Sequence, residues 1–436
     1  MLGGDLAKNF TLICSAKALR TLGFGLASVV LGLYLLERGF SKTEVGVLLS
    51  ATLIQDAVLT TAFSALASKY NNRHILFLSC ALMFFGALLI AFSQDKWILA
   101  IAVVCGIISP AGFEGGPFAA IEQSILSRAQ RTEELTKVLS VYNMVGFGGA
   151  ALGALLAGSL VAAFSSFSKL EAYQFVLVAY ALCTPVILLL YGMLKIAPLE
   201  SAEKMKEPDP RSMNSSSNDS NYRKSWIWQL AGLQSLDAFG GGFVVQSMLT
   251  LWFYQQYQLD AAFLGSLFFW CNIIAALSFT LAPWITRRIG LLRTMVFTHL
   301  PCSLTLCLLP FLPSKEWAAA LLIARSFFSS MDIPVRQAYA MLLVPARDRA
   351  FASGLTSSSR AVAQSISPSL SGFLMQHFFL ASPLICAGLA KSVYDILLYM
   401  SFRNIPLEGL GQHENSELSA TSQTDPELLA STGNRT

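Results

Sequence analysis

Charge is scarce in this chain. Asp, Glu, Lys and Arg make up 13% of its 436 residues, about half the share of an average soluble protein. Hydrophobic residues make up 54%, so a water-facing surface cannot be built over this length. Histidine is scarcer still: His74, His299, His377 and His413 are the full set, and they are scattered. The eight cysteines stand in apolar runs with no Cys-x-x-Cys pair. That excludes a zinc site and a disulfide scaffold, and leaves the cysteines as small packing residues. A net charge of +4 gives no general attraction for nucleic acid. No Walker A loop is present, so ATP-driven work within this chain is excluded. No nucleophile with its base and no cofactor-binding fingerprint is visible, so neither an enzyme nor a bound cofactor or metal is expected.

What is abundant is apolar sequence in runs. A spanning helix needs about 20 apolar residues, and the runs fall near 10–36, 42–68, 74–93, 97–127, 135–164 and 171–196, then 226–256, 261–286, 291–312, 316–344, 350–376 and 382–402. The first run carries Lys17 and Arg20 and reads as a span, not as a secretory leader. The expectation is an all-α membrane protein of twelve transmembrane helices in two six-helix bundles, over 1–197 and 226–403. A polar linker, 198–225, contains Pro-Asp-Pro and Ser-Ser-Ser-Asn and reads as flexible. The tail, 404–436, reads as disordered.

Lysine and arginine set the orientation. With the N-terminus in the cytosol, nineteen of them fall in cytosolic loops, linker and tail, and five (Arg38, Lys42, Lys96, Lys169 and Lys315) fall opposite. Both termini are therefore expected in the cytosol. The plasma membrane is the expected host, and a monomer the expected state.

The halves repeat each other. Gly116-Pro-Phe-Ala-Ala-Ile-Glu-Gln in the fourth span parallels Ile333-Pro-Val-Arg-Gln-Ala-Tyr-Ala in the tenth, and each precedes a basic turn. Pro117 and Pro334 are 217 residues apart, and Gly158 and Gly372 are 214 apart. A near-constant offset points to duplication. Between the second and third spans lies Ser64-Ala-Leu-Ala-Ser-Lys-Tyr-Asn-Asn-Arg73, and between the eighth and ninth Pro283-Trp-Ile-Thr-Arg-Arg-Ile-Gly-Leu-Leu-Arg293. With six plus six spans and a central loop, the chain resembles the major facilitator superfamily over about 10–403. The two loops are similar to that family's Gly-x-Leu-Ala-Asp-Arg-x-Gly-Arg-Arg signature. They keep Lys69, Arg73, Arg288, Gly290 and Arg293 as gating-loop positions. Ser68 and Arg287 stand where the acids belong, so the family's charge-pair latch lacks its acids. The resemblance implies alternating access, with solute bound at a cavity lined by the first, fourth, seventh and tenth spans. Gly149, Gly153 and Gly158 also resemble an antiporter signature, although small residues at such spacing serve helix packing as well.

Charges inside a span cost about 2.5–3.5 kcal/mol each at the helix centre on insertion scales. Twelve fall there: Lys17, Arg20, Asp56, Glu114, Glu122, Asp237, Arg325, Asp332, Arg336, Arg360, Lys391 and Asp395. Eight lie on the four spans expected to line the cavity. Glu114, in Pro110-Ala-Gly-Phe-Glu-Gly-Gly-Pro117, is a candidate proton carrier, or else a fixed partner for an arginine of the first span. Glu122 is a pathway or gate residue. Asp237 and Gln246 flank a glycine-rich stretch of the seventh span and can contact solute. Arg325, Asp332 and Arg336 share one face of the tenth span, with Gln337 and Tyr339 nearby. Asp332 and Arg336 can form a pair that opens in transport, or a fixed salt bridge. Asp56 and Arg360 are a candidate latch between the bundles. Lys391 and Asp395, four residues apart, are expected to neutralise each other on a peripheral helix. The reading is a proton-coupled carrier of a small polar solute. A non-transporting sensor or scaffold of the same fold, or a drug or metabolite efflux antiporter, stands as the alternative.

Overall fold

A computed structural model describes residues 4–67, 72–112, 117–127, 132–194, 217–343 and 349–404. Lys69 and Glu114 lie outside the described residues. Among those described there are fifteen α-helices and no strand. They are α1 (Gly4–Glu37), α2 (Lys42–Ala67), α3 (Asn72–Phe92), α4 (Lys96–Cys105), α5 (Phe118–Ser127), α6 (Thr132–Ala163) and α7 (Lys169–Gly192), then α8 (Ser217–Gly242), α9 (Gln246–Tyr257), α10 (Ala261–Ile289), α11 (Leu291–Leu308), α12 (Lys315–Ser329), α13 (Asp332–Leu342), α14 (Arg349–His377) and α15 (Ser382–Phe402). Eight of the helices are long and apolar enough to cross a membrane. The expected linker ends earlier than its composition implies, because α8 already begins at Ser217.

Three expected spans are broken, two of them at glycine or proline. Between α4 and α5 the chain runs through Pro110, which has no N–H to donate, and Gly112, at φ +80. The fourth run is therefore two helices, not one loosened helix. α8 ends on three glycines, and α9 restarts after Val245. α12 stops at Ser329, and α13 restarts at Asp332 with Pro334 in its first turn, where a missing N–H costs least.

The helices are held by close backbone approach. α1 is the most buried span, at 83% of its apolar window, and packs on α6, α7 and α9. A Cβ at Gly25 would strike the Ala150 carbonyl, and one at Gly153 would strike that of Leu22. Gly25→Val should therefore overpack this seam by about 1–3 kcal/mol. The readout is a lower unfolding midpoint for the purified protein in detergent. An unchanged midpoint would contradict the close α1–α6 approach.

Hydrogen bonds joining α1–α7 to α8–α15 cluster at the face away from the chain ends. Ser247 donates its N–H to the Pro110 carbonyl at 3.0 Å and its hydroxyl to the Ser28 carbonyl at 2.9 Å. The Gln246 amide donates to Ser28 Oγ at 2.8 Å. Nearby, the Thr43 N–H reaches Gln376 Oε1 at 3.0 Å and the Ser369 N–H reaches Ser50 Oγ at 2.8 Å. Toward the chain ends the packing changes. α5 packs on α2, α3 and α6, α8 on α14 and α15, and α13 on α10, α11 and α14. These inner segments pack within their own half, while α2 with α14 and α6 with α10 join the halves.

Candidate functional site

Between the three breaks lies a cavity of about 240 Å³. Its wall comes mostly from the second half. Among the described residues Ala111 and Phe147 line it from the first half. Asp237 of α8, Asn272 of α10, His299 of α11, Arg325 of α12, Asp332 and Arg336 of α13, Arg360 of α14 and Lys391 of α15 all face it.

Asp237 is the hub. Its Oδ1 accepts from Lys391 Nζ at 2.6 Å, and its Oδ2 accepts from Arg360 Nη1 at 2.8 Å and Arg336 Nη1 at 3.2 Å. The carboxylate is 3% exposed, so these cations do what water cannot. The glycines beside it serve this geometry. A Cβ at Gly240 would lie 2.8 Å from Lys391 Cγ, so the glycine run makes room for the lysine stem. Arg336 also reaches Asp332 Oδ2 at 2.6 Å. The i, i+4 pair expected from spacing therefore forms, and it is wired into a larger network.

His299 extends the network inward. Its Nδ1 lies 2.8 and 3.0 Å from the two oxygens of Asp395, and its Nε2 lies 3.4 Å from Asp237 Oδ1. Ser303 donates a further bond to Asp395 at 3.2 Å. A neutral imidazole can donate to one of these carboxylates, and a protonated one to both. Lys391 and Asp395 therefore do not neutralise each other as their spacing suggested. α15 packs on α8 and α11, which gives each residue a different partner.

A second buried cluster lies in the first half. Arg20 meets Glu122 through two bonds, Nη1 to Oε1 at 2.9 Å and Nη2 to Oε2 at 2.8 Å. The hydroxyls of Tyr191 and Tyr142 each donate to Glu122 at 2.6 Å. Phe118 lies under the guanidinium, and Lys17 Nζ stands 3.4 Å from the centre of the Tyr142 ring. Lys17 is 1% exposed, so it is buried against an aromatic face instead of reaching the headgroups. Arg20 and Glu122 do not line the cavity.

The remaining expected residues are dispersed. Asp56 is half-buried on α2, while Arg360 is engaged by Asp237 and the Gln234 carbonyl. Gln246 lines the cavity and also joins the two halves. Gln337 lies on α13, and its side chain is outside the described residues. Arg73 donates to the Leu194 carbonyl. Arg288 lies over the Trp284 ring at 4.3 Å. Gly290, at φ +85, turns the chain from α10 into α11. Arg293 borders a separate cavity of about 210 Å³ with Tyr339 and Arg403. Sequence reading missed His299, Asn272, Tyr142 and Tyr191. The available signal for His299 was a titratable residue in the middle of an apolar run.

The family model of the Major Facilitator Superfamily matches residues 13–324 and 230–418. The chain belongs to the major facilitator superfamily. This is a membrane transporter fold and not that of an enzyme. Among relatives of this superfamily protein is an uncharacterized membrane protein of Saccharomyces cerevisiae, 24% identical over 429 residues, covering 92% of this chain and 95% of the relative. Two solved structures share the fold. A bacterial homologue of the human lysosomal transporter Spinster, inward-facing and occupied, matches with a TM-score of 0.71 at 12% identity, over 91% of this chain and 96% of that one. The nucleoside transporter NupG matches with a TM-score of 0.68 at 13% identity, over 91% and 99%.

Proposed function

We propose that this superfamily member is a secondary active transporter that moves a small polar organic solute by alternating access, coupled to protons. The observation that carries the reading is the cavity lined by Asp237, Asp332, Arg336, Arg360 and Lys391. Charges so costly in a bilayer are retained where they face a path. In this reading α4 with α5, α8 with α9 and α12 with α13 each make one crossing, for twelve in two units over 1–197 and 226–403. The Lys/Arg partition puts the chain ends in the cytosol, with the plasma membrane as host. The face tied together through Ser28, Pro110, Gln246 and Ser247 is then the outer one, and the molecule is inward-facing. Alternating access requires these bonds to break while the inner segments α5, α8 and α13 close.

The His299 ring is our candidate proton carrier, because it stands between Asp395 and the solute-facing Asp237. Arg336, Arg360 and Lys391 share Asp237 with it, Ser303 shares Asp395, and the Tyr394 ring meets it edge-on at 5.9 Å. The test is counterflow and pH-driven uptake in proteoliposomes. His299→Gln should abolish accumulation driven by a proton gradient while solute exchange continues. Retained pH-driven accumulation would remove His299 from coupling. No exchange of any solute by the wild-type protein would sink the transport reading itself.

A further inference from the structure

We propose that the solute is an organic anion, a carboxylate or a phosphate monoester; this rests on the transporter reading above and names its substrate class. Among the described residues the cavity's charges do not balance. Arg325, Arg336, Arg360 and Lys391 line it, against the carboxylates of Asp237 and Asp332. Asp395, behind the wall, is engaged by His299. Asp332 answers Arg336. Asp237 alone answers both Lys391 and Arg360. Among the described residues Arg325 has no ion pair, and its buried Nε has no hydrogen-bond partner. Two positive charges are therefore left over when His299 is protonated and one when it is neutral, on side chains that are mostly buried, where an uncompensated charge is costly.

The unused hydrogen-bonding groups point the same way. Asn272 is 6% exposed and lines the same cavity, and its Nδ2 donor is also without a partner. Arg325 and Asn272 both lack an acceptor. A ligand that supplies acceptors and negative charge completes the site, whereas an ammonium would add a further surplus cation. Arg is suited to this role, since its planar fork binds carboxylate and phosphate oxygens in pairs. The lining also includes the apolar Phe147, Phe268, Leu249 and Leu322, which suits an organic skeleton over a bare inorganic ion. The volume lies below the usual 300–1,000 Å³ of ligand pockets, so the anion is small.

The test uses the full-length protein in detergent and in proteoliposomes. The probes are sets that share one skeleton of about four to eight carbons, a size suited to a small pocket. Within each set the end group is carboxylate, phosphate monoester, amide or ammonium, and chloride and inorganic phosphate serve as controls. Thermal stabilisation reads binding, and counterflow reads transport. Stabilisation confined to carboxylate or phosphate-ester probes is expected, and which of the two prevails identifies the source of the charge. Arg325→Gln should raise the half-stabilising concentration about tenfold, the scale of one charge-assisted hydrogen bond. Asn272→Ala should raise it less, and it supplies the same readout if the first variant does not fold. Amides or amines that stabilise as well as the anions, stabilisation by inorganic ions alone, or no stabilisation by any anionic probe would each overturn the inference. Anions that bind without counterflow would sink the transport reading and leave this inference standing. Amines or amides that exchange while anions do not would do the reverse.

Discussion

Asp237→Asn is expected to lose nearly all solute transport and to lower the stability of the protein. The change removes one negative charge and almost no volume. It leaves Lys391 and Arg360 without a carboxylate and takes one of two from Arg336. Breaking a buried pair by removing one partner costs about 3–5 kcal/mol. If about 3 kcal/mol of that falls on the occupied or transition states of transport, the rate drops by about 100-fold. A companion variant separates the two effects. Asp237→Asn with Lys391→Gln removes one charge pair, so folding should recover in part, while Arg360 still lacks a carboxylate and the site that orients Arg336 and Arg360 stays broken. The measurements are unfolding midpoints in detergent and counterflow in proteoliposomes. Wild-type transport by Asp237→Asn would remove the hub from the mechanism. A double variant that regains transport would reduce Asp237 to a structural counter-charge.

Much of this site could be read from the sequence because membranes penalise charge. Any Asp, Arg or Lys inside an apolar run had to be held by something, and Asp237, Asp332, Arg336 and Arg360 could be singled out on that ground alone. The i, i+4 pairing of Asp332 with Arg336 is a local matter and was equally legible. Pairings across helices were not. Arg20 was expected near Glu114, and the structure puts it on Glu122, 102 residues away, with two tyrosines that carry no charge to advertise them. His299 and Asp395 are 96 residues apart, and nothing in the spacing of α11 or α15 links them. Lys391 looked self-sufficient because Asp395 was one helical turn away, yet Gly240 opens a path to Asp237. The helix breaks were half legible. Pro110 and Gly112 signalled a weak point in the fourth span and the three glycines one in the seventh, but Pro334 marks only where the tenth span restarts, not that it stops at Ser329.

The buried pair in the first half is expected to behave in the opposite way. Arg20→Met alone should destabilise the protein by about 3–5 kcal/mol, because Glu122 would be left as an unpaired charge. Arg20→Met combined with Glu122→Met should regain most of that loss, since apolar replacement of a whole buried pair is often neutral or stabilising. Both residues are 0% exposed and lie away from the cavity, so the folded double variant should also keep wild-type counterflow. The contrast with Asp237 has a physical basis. The Arg20–Glu122 pair is closed, with its carboxylate oxygens filled by Arg20, Tyr142 and Tyr191, so it has little left to offer a solute. The Asp237 network is open, because its cations outnumber its carboxylates and several face the cavity. A folded Arg20→Met/Glu122→Met protein that exchanged no solute would move this pair into the transport path, where its position in the sequence first suggested it belonged.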